Sequence, residues 1–111
     1  MELKLNIYNG KEIEKIYTAN DFHLMTGTCE DIIALIDIDK MSGSLDDDRA
    51  MMEILKIVIK AFQQFNPMMK QIFDGLTDDE YRRTDIKEVA VVVLNVVKYT
   101  LAELFNAASK N

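Results

Sequence analysis

The sequence holds a single cysteine, Cys29, and a single histidine, His23. One thiol closes no internal disulfide, which fits a reducing compartment. Cys29 and His23 could supply two zinc ligands, but there is no second pair to complete a tetrahedral site. As a catalytic dyad they are conceivable; the ordinary alternative is a packing or surface histidine and a small buried thiol. Basic charge is scarce, with 13 Lys and Arg against 19 Asp and Glu and a net charge of -6. Arg82-Arg83 is the one basic cluster, and an acidic chain repels phosphate backbones, so no nucleic acid is expected as a partner. Long apolar runs are missing as well. Val89-Ala-Val-Val-Val-Leu-Asn-Val-Val97 is too short to span a bilayer and has charges on both sides. The start, Met1-Glu-Leu-Lys-Leu, has neither the basic residues nor the apolar stretch of a signal peptide. A soluble, cytoplasmic protein without membrane contact is the expectation. Gly10 and Gly27 stand alone, so no phosphate-cradling loop is present, and no acid sits in a recognisable catalytic motif. Neither an enzyme nor a cofactor is expected.

What remains is a chain of 111 residues, 49% hydrophobic, with material for one domain and one core. A domain this small is modestly stable alone, so partners matter. Leu3, Leu5 and Ile7 alternate with Lys4 and Asn6, the period of a strand. Asn9-Gly10 is a strong turn signal because both residues tolerate positive φ. Glu12 to Thr18 is the return strand, although it alternates less cleanly. A β-hairpin over about 2–18 follows, and it needs helices or another edge to pack on.

Thr28 is a plausible N-cap, with Glu30 and Asp31 in the first turn, for a short helix over about 29–38 built on Ile32, Ile33, Leu35 and Ile36. A longer helix is expected over 46–65. Met51, Ile54, Leu55, Val58, Ala61, Phe62 and Phe65 recur at three-and-four spacing opposite Arg49, Glu53, Lys56, Lys60 and Gln63. Pro67 suits a first helical position and Gly75 a left-handed stop, giving a helix over 67–74. Thr77-Asp-Asp-Glu80 is a capping box that opens a helix over 78–83. Thr84 can cap a last helix over 85–108, whose polar side is narrow: Lys87, Glu88, Asn95, Lys98, Glu103 and Asn106. Such a helix is central, or it shares a face with another molecule. The fold class is therefore α+β, mainly α: an N-terminal β-hairpin followed by a small helical bundle, in one domain over 1–111.

The acidic stretch Asp37-Ile-Asp-Lys-Met-Ser-Gly-Ser-Leu-Asp-Asp-Asp48 has the length of a calcium loop but not its pattern. From Asp37, the fifth position is Met41, without a side-chain oxygen. The sixth is Ser42, with Gly43 one place late, and the twelfth is Asp48 instead of a bidentate glutamate. It reads as an interhelical joint with Gly43 at a turn and Asp46 to Asp48 at a helix N-terminus, and no metal is expected. Met51-Met52 and Met68-Met69 are either ordinary core filling or adaptable contact surface.

Taken in order, Met1-Glu-Leu-Lys-Leu-Asn-Ile-Tyr8, Ile16-Tyr-Thr18, Gly27-Thr-Cys-Glu-Asp-Ile-Ile-Ala-Leu-Ile-Asp37 and Ile72-Phe-Asp-Gly-Leu-Thr-Asp-Asp-Glu80 give the chain a whole-length likeness. It resembles the tail assembly chaperones of long, non-contractile-tailed phages of Gram-positive hosts. The resemblance implies a role without chemistry in the host cell cytoplasm: coating the aggregation-prone tape measure protein, then yielding to tail tube subunits, without entering the mature virion. It also implies a longer frameshifted product. Ser109-Lys110-Asn111 would contain a minus-one slippery heptamer if encoded TCA-AAA-AAC. The candidate partner-binding residues are Met51, Met52, Phe65, Met68, Met69, Phe73, Val92 and Val96. An exposed hairpin edge and a broadly apolar last helix imply self-association. The alternative is a small phage-encoded adaptor or inhibitor that binds a folded host protein.

Overall fold

The computed structural model describes residues 2–36 and 48–109, with side chains as far as residue 100. The acidic joint therefore lies outside the described residues except for Asp48, as do the expected helix ends at 37–38 and 46–47.

Two antiparallel strands, β1 (Leu3–Asn9) and β2 (Glu12–Ala19), open the chain. The period-two reading holds: Leu3, Leu5 and Ile7 all point into the core. Asn9 pairs with Glu12, so the two turn residues are Gly10 and Lys11, and only Gly10 takes positive φ, at 63°. Asn9 is thus the last strand residue and not part of the turn centre. Glycine at the first central position is the requirement of a type II′ hairpin turn. The uneven alternation of β2 has a cause. Ile7 pairs with Lys15 while Tyr8 pairs with Ile13, so Glu14 is an extra, bulged residue. The bulge puts Ile13 and Ile16 on the outer face, both half exposed, while Tyr17 and Ala19 return to the core.

Among the described residues five α-helices follow: α1 (Thr26–Leu35), α2 (Asp48–Lys60), α3 (Asn66–Ile72), α4 (Asp78–Arg82) and α5 (Ile86–Ser109). An α+β, mainly α fold is what the sequence predicted, with four differences in detail. First, α1 begins earlier than expected, and Thr28 is a buried residue inside it and not its cap. Met25 holds the N-cap position without any side-chain cap bond of its own. Second, the long helix does not run to Phe65. It leaves α geometry at Ala61 (φ −124°) and passes through a 3-10 turn at Phe62–Phe65. Pro67 would drive its ring into the carbonyl four residues back, so one helix cannot run through both segments. Tyr81 anchors the break, its ring stacked on Phe62 at 4.1 Å and its hydroxyl donating to the Phe62 carbonyl at 2.6 Å. Third, α3 stops at Ile72, and Gly75 takes its left-handed φ of 89° three residues later. Fourth, Asp85 and not Thr84 opens α5: its carboxylate accepts from the Lys87 N–H at 2.8 Å. Thr84 donates its hydroxyl back to the Tyr81 carbonyl.

The capping box of α4 is present in full, with the Thr77 hydroxyl accepting from Glu80 N–H and the Glu80 carboxylate accepting from Thr77 N–H. Helix α5 is central. Val89, Ala90, Val92, Val93, Leu94, Val96 and Val97 are all buried, and the helix packs against both β1 and α2. Ala50, Ile54 and Val58 supply the facing stripe of α2. The apolar periodicity thus places two helices and a hairpin around one core.

Candidate functional site

Polar side chains gather where the hairpin meets α4 and the start of α5. On the outer edge of β1, Tyr8 N–H donates to the Arg83 carbonyl at 2.8 Å, and Arg83 Nη1 donates back to the Tyr8 carbonyl at 3.1 Å. Asn6 N–H donates to Glu88 Oε1, and the Tyr8 hydroxyl donates to Glu88 Oε2. The Glu88 carboxylate therefore raises the proton affinity of the Tyr8 phenol. One arginine and one glutamate thus occupy backbone groups that an edge strand would otherwise present. The bulged Glu14 reaches Arg83 Nη1 at 2.6 Å, and Asp79 takes Arg83 Nε at 3.1 Å.

On the other side of the hairpin, the Tyr17 hydroxyl donates to Glu80 Oε1 at 2.6 Å and approaches the Gly75 carbonyl at 3.2 Å. Lys15 stands 3.5 Å from Glu80 and over the Tyr17 ring. The Glu80 carboxyl is held below its usual range, first by the Tyr17 hydroxyl, then by Thr77 N–H and the Lys15 charge, against the opposing effect of burial. Lys70 and Asn66 likewise lower Asp78. These groups are matched to one another, and what they do is fasten the hairpin and α4 to the body.

An apolar cleft lies between α1 and α5. Leu24, Cys29, Ile32, Ile33 and Ile36 line one wall, and Val96, Val97 and Thr100 line the other. It is a shallow, partly open cleft whose unfilled space is small, about 30 Å³. Cys29, Ile32, Ile33 and Ile36 follow the i, i+3, i+4, i+7 spacing of one helix stripe. That stripe is incompletely seated: Ile32 and Ile36 are buried, Cys29 is partly covered, and Ile33 remains 47% exposed. The neighbouring Met25 is 68% exposed. The start of α1 is held from α3. Gln71 Oε1 accepts from Met25 N–H at 2.9 Å, and Gln71 Nε2 donates to the Thr28 hydroxyl at 2.6 Å. A glutamine from another helix therefore does the capping that α1 lacks in its own sequence.

The eight residues expected at a partner surface divide sharply. Phe65, Met68, Met69, Phe73, Val92 and Val96 are core residues, each no more than 2% exposed. The methionine pair of α3 and the two phenylalanines belong to the buried core, with the Phe73 ring 6.3 Å from that of Tyr17, so a partner does not meet them on this surface. Met51 is partly buried, and Met52 is exposed. Val96 alone of the eight lines the cleft. The cleft residues that went unpredicted, Leu24, Cys29, Ile32, Ile33, Ile36 and Val97, left a usable signal in the heptad-like spacing from Cys29 to Ile36.

His23 is exposed and apart from the cleft lining. Among the described residues no group of three or more His, Cys, Asp or Glu could hold a metal ion, and no helix is long and apolar enough to cross a membrane. No protein-family model, curated protein or solved structure matches the chain.

Proposed function

We propose that the protein is a phage tail assembly chaperone that acts by reversible binding and carries out no chemistry. Its client is the tape measure protein, which it keeps soluble in the host cell cytoplasm until tail tube subunits replace it. The observation that supports this reading best is the cleft between α1 and α5, whose lining is apolar apart from Thr100. A partly open apolar groove beside a half-exposed helix stripe suits an amphipathic client helix laying its anchors into it. The net charge of -6 serves a protein that must stay dispersed while holding apolar surface. Self-association and recruitment of tube subunits belong to the same proposal.

Co-expression with the tape measure protein tests it. The client should move from the insoluble to the soluble fraction when this chain is present. A client that stays insoluble, or that is soluble without it, contradicts the reading. The outer face of β2, where Ile13 and Ile16 are each 50% exposed, favours a second reading. There the protein is a phage-encoded adaptor or inhibitor that packs this apolar face against a folded host protein. Retention of a single folded host protein by the wild-type chain, lost on Ile16→Lys, would distinguish it.

A further inference from the structure

Helix α1 is the least anchored of the longer elements. Within its ten residues only Thr28 and Ile32 are buried, with Ile36 just past its end. Its first turn has no cap of its own and depends on the Gln71 amide. Few buried groups and borrowed hydrogen bonds are the marks of a segment that opens locally, at a lower free energy than the whole domain. What lies beneath it is apolar: Val96 and Val97 are buried in the folded chain. The stripe α1 lays on them, Cys29, Ile32, Ile33 and Ile36, is a poor fit at two positions. Cys29 is small, and Ile33 is nearly half exposed beside unfilled cleft. A helix with the same spacing but a larger residue at the Cys29 position would fill more of that space and bury more apolar area.

We infer that α1 is a displaceable occupant of the client groove. A client helix carrying apolar anchors at i, i+3, i+4 and i+7 takes its place on Val96 and Val97, and Gln71 sets how readily α1 leaves. The inference rests on the client-binding reading for the identity of the natural occupant. It also explains how residues such as Val96, covered in the closed chain, come to face a partner. Free energy links opening and binding. The apparent affinity of a helix that needs α1 displaced scales with the fraction of molecules in which α1 is open.

Cys29, the only thiol, is a built-in reporter because it lies in the cleft and is partly covered. The probe is a capped synthetic peptide of residues 24–36 carrying Cys29→Leu, which removes its thiol and enlarges that anchor. Gln71→Ala deletes two hydrogen bonds to α1. It should speed maleimide labelling of Cys29 by about tenfold, the factor expected from roughly 1.4 kcal/mol. The peptide should bind Gln71→Ala tighter than wild type by the same factor and should accelerate Cys29 labelling in both. A peptide that binds neither protein, or binds and slows labelling, overturns the inference. So does labelling that Gln71→Ala leaves unchanged.

Should that variant fail to fold, two further measurements decide. Thr28→Val, which removes one of the two bonds, should give a smaller acceleration. In wild type, labelling in low urea should depend on denaturant far more weakly than global unfolding does. A slope equal to that of global unfolding refutes local opening. None of these arms uses the tape measure protein, so their failure is separate from failure of the client reading.

Discussion

Replacing Glu80 with alanine should destabilise the fold by about 2–4 kcal/mol. One carboxylate does two jobs. It accepts from Thr77 N–H to close the capping box of α4, and it accepts from the Tyr17 hydroxyl at 2.6 Å to latch the hairpin. A cap contributes about 1 kcal/mol, and a hydrogen bond to a charged acceptor roughly 1.5–3 kcal/mol. The Lys15 contact adds nothing to this sum, because its ammonium is 54% exposed and solvent screens it. Against a stability of about 5–15 kcal/mol for an ordinary small domain the loss is large. At roughly 4 °C per kcal/mol, the melting temperature should fall by about 8–16 °C. Urea denaturation followed by circular dichroism measures it, with Tyr17→Phe and the double variant completing a cycle. The two sites share one bond, so the double loss should be smaller than the sum of the single losses by at least about 1 kcal/mol. A single-variant loss below about 0.5 kcal/mol, the size of an ordinary surface change, would refute the latch. So would strictly additive losses.

Further outcomes follow from the same structure. The folded chain holds the Glu80 carboxyl below the ordinary 4.5. Its contribution to stability is thus complete above about that pH and is lost as pH falls through the lower folded value. Wild type should accordingly lose more stability than Glu80→Gln on acidification below 4.5, and an unchanged gap between their urea midpoints over that range would contradict this. Met69→Ala, at a fully buried site, should cost about 2–5 kcal/mol. Met52→Ala, at a site 53% exposed, should stay within about 0.5 kcal/mol, and equal costs would undo the division of the methionines into core and surface. Gly75→Ala meets no atom within 4 Å, so its cost is the left-handed backbone alone, about 1–2 kcal/mol in urea melts.

The sequence carried those parts of the fold that depend on local rules. Alternation placed Leu3, Leu5 and Ile7 in the core, Thr77-Asp-Asp-Glu80 announced its own cap, and the narrow polar side of α5 marked a central helix. The parts it did not disclose are set by residues far apart in the chain. Gln71 caps α1 across 46 residues from Met25, and Tyr81 pins the break after Ala61 from α4. The bulge at Glu14 is legible only once Arg83 is seen waiting for its carboxylate at 2.6 Å. The same limit governed the partner surface. A methionine pair has one composition whether it fills a core or faces water, and only the burial of Met68 and Met69 in the folded chain decides for the core. The cleft stripe from Cys29 to Ile36 was readable as a helix face, but what it faced, Val96 and Val97, lies some sixty residues on.

The most direct measurement is a titration of the isotopically labelled protein with an amphipathic helical fragment of the tape measure protein, read by backbone amide shifts. Binding at the groove should move the amides of Cys29 to Ile36 and of Val96 to Thr100 first and furthest, with Gln71 responding as its hold on α1 is released. Shifts that cluster instead on the outer face of β2 around Ile13 and Ile16, or no shifts at all, would contradict a client site between α1 and α5.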